Sequence, residues 1–149
     1  DRSPSRGLGD VYKRQIYITS QFMGRVTKGR GVYGIVLVTQ INGKKYAKAH
    51  VAGWNDISYQ KLNARAVVDA IQCMKKPADV LIHLDNAYAE HMIEKGGAAG
   101  NAYAALWSTF FERVKLMEKV EVKRCPQHEY TEYLNQRIRE GKYSIMKDR

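Results

Sequence analysis

The chain has 149 residues, a net charge of +10, 44% hydrophobic and 27% charged residues. That is enough for one domain around a single core, ordinary for a soluble globular protein, and no apolar run approaches the ~18 residues of a membrane span. The start lacks the apolar stretch of a signal peptide, and Cys73 and Cys125 stand without a CxxC or Cys/His cluster, which argues against zinc and for thiols in a reducing, cytoplasmic compartment.

The basic excess points to an anionic partner, nucleic acid ahead of an anionic membrane surface; a merely basic, soluble surface is the alternative. Residues 1–15, DRSPSRGLGDVYKRQ, have no apolar periodicity. Their end, DVYKRQ, looks like the translation of a transposon end used in sequencing libraries. On that reading the segment is a non-native scar on a metagenomic fragment and is left out of fold reasoning; a natural basic arm is the alternative. Removing it takes away Arg2, Arg6, Lys13 and Arg14 against Asp1 and Asp10, and the remainder still carries +8.

IYITSQF (16–22) alternates and is rich in β-formers, which predicts a strand. RVTKGRG (25–31) is a basic, glycine-punctuated turn, and VYGIVLVTQ (32–40) an apolar strand. Asn42-Gly43 predicts a hairpin into a half-exposed third strand over 44–53. Ser58 is placed to cap a helix starting near Tyr59, whose Leu62, Ala66, Val67, Ala70, Ile71 and Met74 recur at helical spacing. Lys75, Lys76 and Pro77 end it. DVLIHLD (79–85) is an almost continuous apolar run, as in a strand buried on both faces, and a helix carrying Tyr88, Met92 and Ile93 follows. GGAAGN (96–101) is a flexible break before a helix over 103–119, KVEVKRC (119–125) a short strand, and Thr131 or Glu132 opens a last helix. Residues 16–143 form the predicted domain and 144–149 a tail. The order is βββαβααβα, an α/β fold with a five-stranded mixed sheet flanked by helices.

That order resembles the ribonuclease H family, and local stretches add to the likeness. LDNAYAEHMI resembles its strand-end Asp-Ser followed by Tyr and an apolar helix, here Asp85, Asn86 and Tyr88. SYQKLNARAVVDAI (58–71) resembles the helix that bears a catalytic Glu. NAYAALW (101–107) resembles the opening of a later helix, and VEVKRCPQHEYTEYLNQRI (120–138) the closing strand, loop histidine and final helix. The resemblance implies enzymes that cleave the RNA strand of RNA–DNA hybrids with two Mg²⁺ ions about 4 Å apart, held by four carboxylates.

Carried over, that pattern puts Thr19, Asn63 and Asn135 where three of the carboxylates belong and leaves Asp85 as the fourth. Thr and Asn offer neutral oxygens but no charge. Two Mg²⁺ would therefore face one negative side chain, so no cofactor is expected; Mg²⁺ or Mn²⁺ enters only if the chain is a nuclease after all, at most as a single ion on Asp85. Glu132, three residues before Asn135 on the same helical face, is the best substitute carboxylate if the register is shifted. Asp85 could instead be structural, capping the helix that begins near Ala87. His128 resembles the family's mobile-loop histidine. His83 and Asp85 alternate onto one strand face, a possible metal half-site, with a packed histidine as the plainer reading.

For nucleic acid, the resemblance points to Gln60, Lys61 and Arg65 at the start of the first helix, Lys45 and Lys48 with Lys44 on the hairpin, and Arg25, Lys28 and Arg30 in the basic turn. Such phosphate contacts position a duplex without reading its sequence. Trp107 reads as core; Trp54 is divided between stacking and core. Three functions stay open: a catalytically impaired ribonuclease H-like domain that binds duplex or hybrid, of a kind suited to phages and mobile elements; an active divergent metal-dependent ribonuclease; and a protein-interaction module on the same fold.

Overall fold

The computed structural model describes residues 13–97 and 103–148. β1 (Lys13–Arg25), β2 (Lys28–Ile41) and β3 (Lys44–Ile57) form an antiparallel meander, followed by α1 (Tyr59–Gln72), β4 (Asp79–Leu84), α2 (Ala87–Glu94), α3 (Ala104–Val114), β5 (Lys119–Arg124), α4 (Thr131–Glu140) and β6 (Ser144–Lys147). The sheet order is β5-β4-β1-β2-β3-β6. β4 runs parallel to both β1 and β5, and β6 runs parallel to β3.

Several boundaries differ from the sequence reading: only Val26 and Thr27 of the expected 25–31 turn lie outside the strands, since β2 begins at Lys28, and β3 runs past 53 to Ile57. The sheet has six strands rather than five, because residues 144–147 of the predicted tail pair with β3. β1 begins at Lys13, so three residues of the supposed scar lie in the sheet; their Cα partners in β4 are Asp79, Val80 and Leu81. α3 ends at Val114, short of Lys119. The stretches 98–101 of the expected break and 101–102 of NAYAALW lie outside the described residues, as do residues 1–12 of the predicted scar.

Local chemistry accounts for the rest. Asn42 and Gly43 both take positive φ (53° and 79°), the backbone of a two-residue hairpin that matches the twist of its strands. The Ser58 hydroxyl accepts from the Lys61 amide at 3.1 Å and caps α1. Alternation along β1 splits the core in two. Ile16 and Ile18 pack with Tyr33, Ile35 and Ile82 beneath α1, α2 and α3, whereas Tyr17 packs with Val36, Val38 and Leu134 beneath α4. Trp107 is core, 2% exposed. Gly34 lets α4 approach: a Cβ there would stand 2.8 Å from Leu134 Cδ2.

Candidate functional site

Asp85 follows directly on the end of β4, where β1 passes alongside. One of its oxygens accepts from both the Ser20 amide (2.7 Å) and the Ser20 hydroxyl (2.9 Å). The other accepts from Asn86 Nδ2 at 3.0 Å. Asn63, 1% exposed on α1, closes the ring. Its Oδ1 accepts from Asn86 Nδ2 at 2.9 Å and from the Ser20 hydroxyl at 3.2 Å, while its Nδ2 donates to the Tyr59 carbonyl. Ser20, Asn63, Asp85 and Asn86 thus form one hydrogen-bonded cluster joining β1, α1, β4 and α2.

This geometry corrects three expectations. The β1 side chain that meets Asp85 is Ser20, not Thr19; neighbouring residues of a strand point to opposite faces, and Thr19 turns toward α4. Asp85 does not cap α2, because Asn86 does so, its side chain accepting from the Ala89 amide at 2.8 Å. His83 and Asp85 do not share a site. His83 lies flat against Tyr17 with ring centroids 4.2 Å apart, and the chain leaves the strand before Asp85 swings toward Ser20.

The other positions group elsewhere. Asn135 Oδ1 accepts from Gln21 Nε2 at 2.9 Å on the α4 side. His128 Nδ1 accepts from the Tyr130 amide, so the proton of the neutral ring sits on Nε2, which lies 3.1 Å from Thr19 Oγ1 and 3.3 Å from the Ile18 carbonyl. Burial lowers the His128 pKa, opposed by its bond to Ile18 and by the charge of Asp85. This histidine is pinned to β1 through Nε2 and to its own loop through Nδ1. Beside it, Tyr17 donates to Gln15 and Glu129, and burial, with Glu129, pushes its hydroxyl up to about 12. His83 Nε2 lies 2.9 Å from Gln15 Oε1, and burial, reinforced by His128 and Lys123, lowers its pKa. The Tyr17 cluster has no counterpart in the sequence reading, because nothing local signals that β1, β4 and the β5–α4 loop bring these residues together.

Glu132 is exposed on α4. Among the described residues no group of three or more His, Cys, Asp or Glu side chains is placed to hold a metal. The donor set around Asp85 is one carboxylate, one hydroxyl and two carboxamides, and both carboxylate oxygens already accept hydrogen bonds. These residues do not fit a pair of divalent cations.

The basic residues are strung along the sheet rather than gathered. Ser20 pairs with Tyr33 and Arg25 with Lys28, so the exposed Arg25 and Lys28 lie about 17 Å beyond Ser20 toward the β1–β2 turn, at ~3.3 Å per residue, with Arg30 between. Lys48 pairs with Leu37 and Lys45 with Gln40, which places them about 13 and 23 Å away in the other direction. Gln60 is exposed. Lys61 and Arg65 both bind Asp148, each at 2.9 Å. Arg65 also lies over Trp54, 4.1 Å from the ring, while Trp54 Nε1 donates to the Tyr33 hydroxyl at 3.3 Å.

A three-stranded meander, a helix, two parallel strands inserted on its far side and a closing helix on the opposite face define a ribonuclease H-like fold. Solved structures agree. The chain is similar to LC9-RNase H1, a type 1 RNase H with the type 2 active-site motif (TM-score 0.66, 16% identity, 85% of this chain and 70% of that one). It is also similar to RNase H1 from the halophilic archaeon Halobacterium salinarum NRC-1 (TM-score 0.65, 12% identity, 83% and 92%). A third match is the Prototype Foamy Virus protease-reverse transcriptase (TM-score 0.68, 15% identity), where it covers 96% of this chain but spans 22% of that protein. No family model and no curated protein matches the sequence. Among the described residues no helix is long and apolar enough to cross a membrane.

Proposed function

We propose that this domain binds duplex nucleic acid, RNA–DNA hybrid foremost, and does not cut it efficiently. The observation that carries the reading is the composition of the Asp85 cluster. Asp85 is its single anionic group, and both of its oxygens already accept hydrogen bonds, from the Ser20 amide and hydroxyl and from Asn86 Nδ2. Unit charges 4 Å apart interact by about 4 kcal/mol at an effective dielectric of 20. Neutral oxygens do not replace three such attractions for each metal. The net charge of +10 and the cations flanking Ser20 along the sheet support the binding half of the reading.

The test is incubation with a labelled RNA–DNA hybrid in Mg²⁺ or Mn²⁺. Salt-dependent binding with intact substrate is expected. Cleavage that disappears in Asp85→Asn would overturn the proposal in favour of an active divergent nuclease. Absence of binding at low salt would point instead to a protein-interaction module.

A further inference from the structure

We propose that Lys61 and Arg65 form a phosphate site, beside Trp54, that the chain holds closed with its own Asp148 carboxylate. The inference rests on the nucleic-acid reading and says which part of that surface is held back.

Asp148 places one oxygen 2.9 Å from Lys61 Nζ and the other 2.9 Å from Arg65 Nη2, with its side chain only 9% exposed. Burial alone would raise its pKa, but the bonds and charges of Lys61 and Arg65 outweigh that and hold it below the usual carboxylate range. Two cations one helical turn apart, converging on one planar anion, are also spaced to grip a phosphate. Arg65 Nε is buried with no hydrogen-bond partner among the described residues. A carboxylate has two oxygens and both are engaged; a tetrahedral phosphate has more to offer that donor.

The closing segment is lightly held. β6 is four exposed residues at the sheet edge, paired from Ala52–Ser144 to Asn55–Lys147, followed by one bond from the Asp148 amide to the Asn55 carbonyl. A polyanion that competes for Lys61 and Arg65 need displace only this strand end.

The experiment compares the unaltered chain with Asp148→Asn on a fluorescent RNA–DNA hybrid, by anisotropy at several salt concentrations. We expect about five- to tenfold tighter binding at low salt, and a log–log salt slope steeper by about one to two, since each added phosphate contact contributes roughly 0.9. Adding Lys61→Gln and Arg65→Gln should abolish the gain. Release of β6 by the substitution would uncover the same cations, so local loosening leads to the same outcome. Equal affinity and slope for both proteins would overturn the closed site while leaving nucleic-acid binding standing. If neither binds the hybrid, the proposed function fails, and tripolyphosphate decides the site alone. Greater thermal stabilisation of Asp148→Asn than of the unaltered chain keeps it; equal or no stabilisation removes it.

Discussion

Installing the missing charges tests the geometry around Asp85 directly. The Ser20 hydroxyl stands 2.9 Å from Asp85 Oδ2 and 3.2 Å from Asn63 Oδ1, so Ser20→Asp with Asn63→Glu would gather three carboxylates where one now sits. Without metal, each like-charged pair costs up to about 4 kcal/mol at 4 Å and an effective dielectric of 20. Protonation of one carboxyl limits the total, and the metal-free variant should be clearly less stable than its parent. A divalent cation reverses the sign. At a concentration one hundred times its Kd, it stabilises the fold by about 2.7 kcal/mol, which for a chain of this size raises Tm by roughly 5–10 °C. The assay is thermal unfolding of both proteins in chelator, Mg²⁺ and Mn²⁺. We expect a metal-dependent rise in the variant only. A folded variant that ignores both metals would show that Ser20, Asn63 and Asp85 do not converge as described. An equal rise in the parent would show that one carboxylate and neutral oxygens suffice, and the charge argument would fall.

Other outcomes follow from the same contacts. Asp85→Ala takes the acceptor from the Ser20 amide and one of two acceptors from Asn86 Nδ2, so urea unfolding should show a loss of about 1–3 kcal/mol; a loss within error would mean that the carboxylate holds nothing. Asn86→Ala removes the α2 cap and the donor to both Asn63 and Asp85, at a cost of about 2 kcal/mol, and an effect no larger than that of a surface alanine substitution would contradict its place in the ring. His83 and His128 both have pKa values lowered from 6.5 by burial. The unfolded chain therefore binds more protons than the folded one as pH falls below about 6.5. Stability from these rings is complete above that pH and is lost on acidification toward the folded pKa values. Tm should fall between pH 7 and pH 5, and His83→Phe should flatten the profile; an unchanged slope would assign the pH dependence elsewhere.

Much of the architecture was readable from the chain because its signals are local. Asn42-Gly43 marks a hairpin through the backbone it tolerates, Ser58 marks a helix start through its hydroxyl, and the spacing of Leu62, Ala66, Val67 and Ala70 marks a buried helical face. The apolar run before Asp85 likewise marked an inner strand of the sheet. What remained hidden depends on contacts between distant segments. Both faces of β1 are buried, so alternation could not tell whether Thr19 or Ser20 meets Asp85; only the pairing of β1 with β4 and the packing of α1 decided for Ser20. No local pattern showed that residues 144–147 would extend the sheet. Nor could one show that Asp148 would meet Lys61 and Arg65 across more than eighty residues of sequence, since a charge carries no mark of its partner until the fold brings the two together.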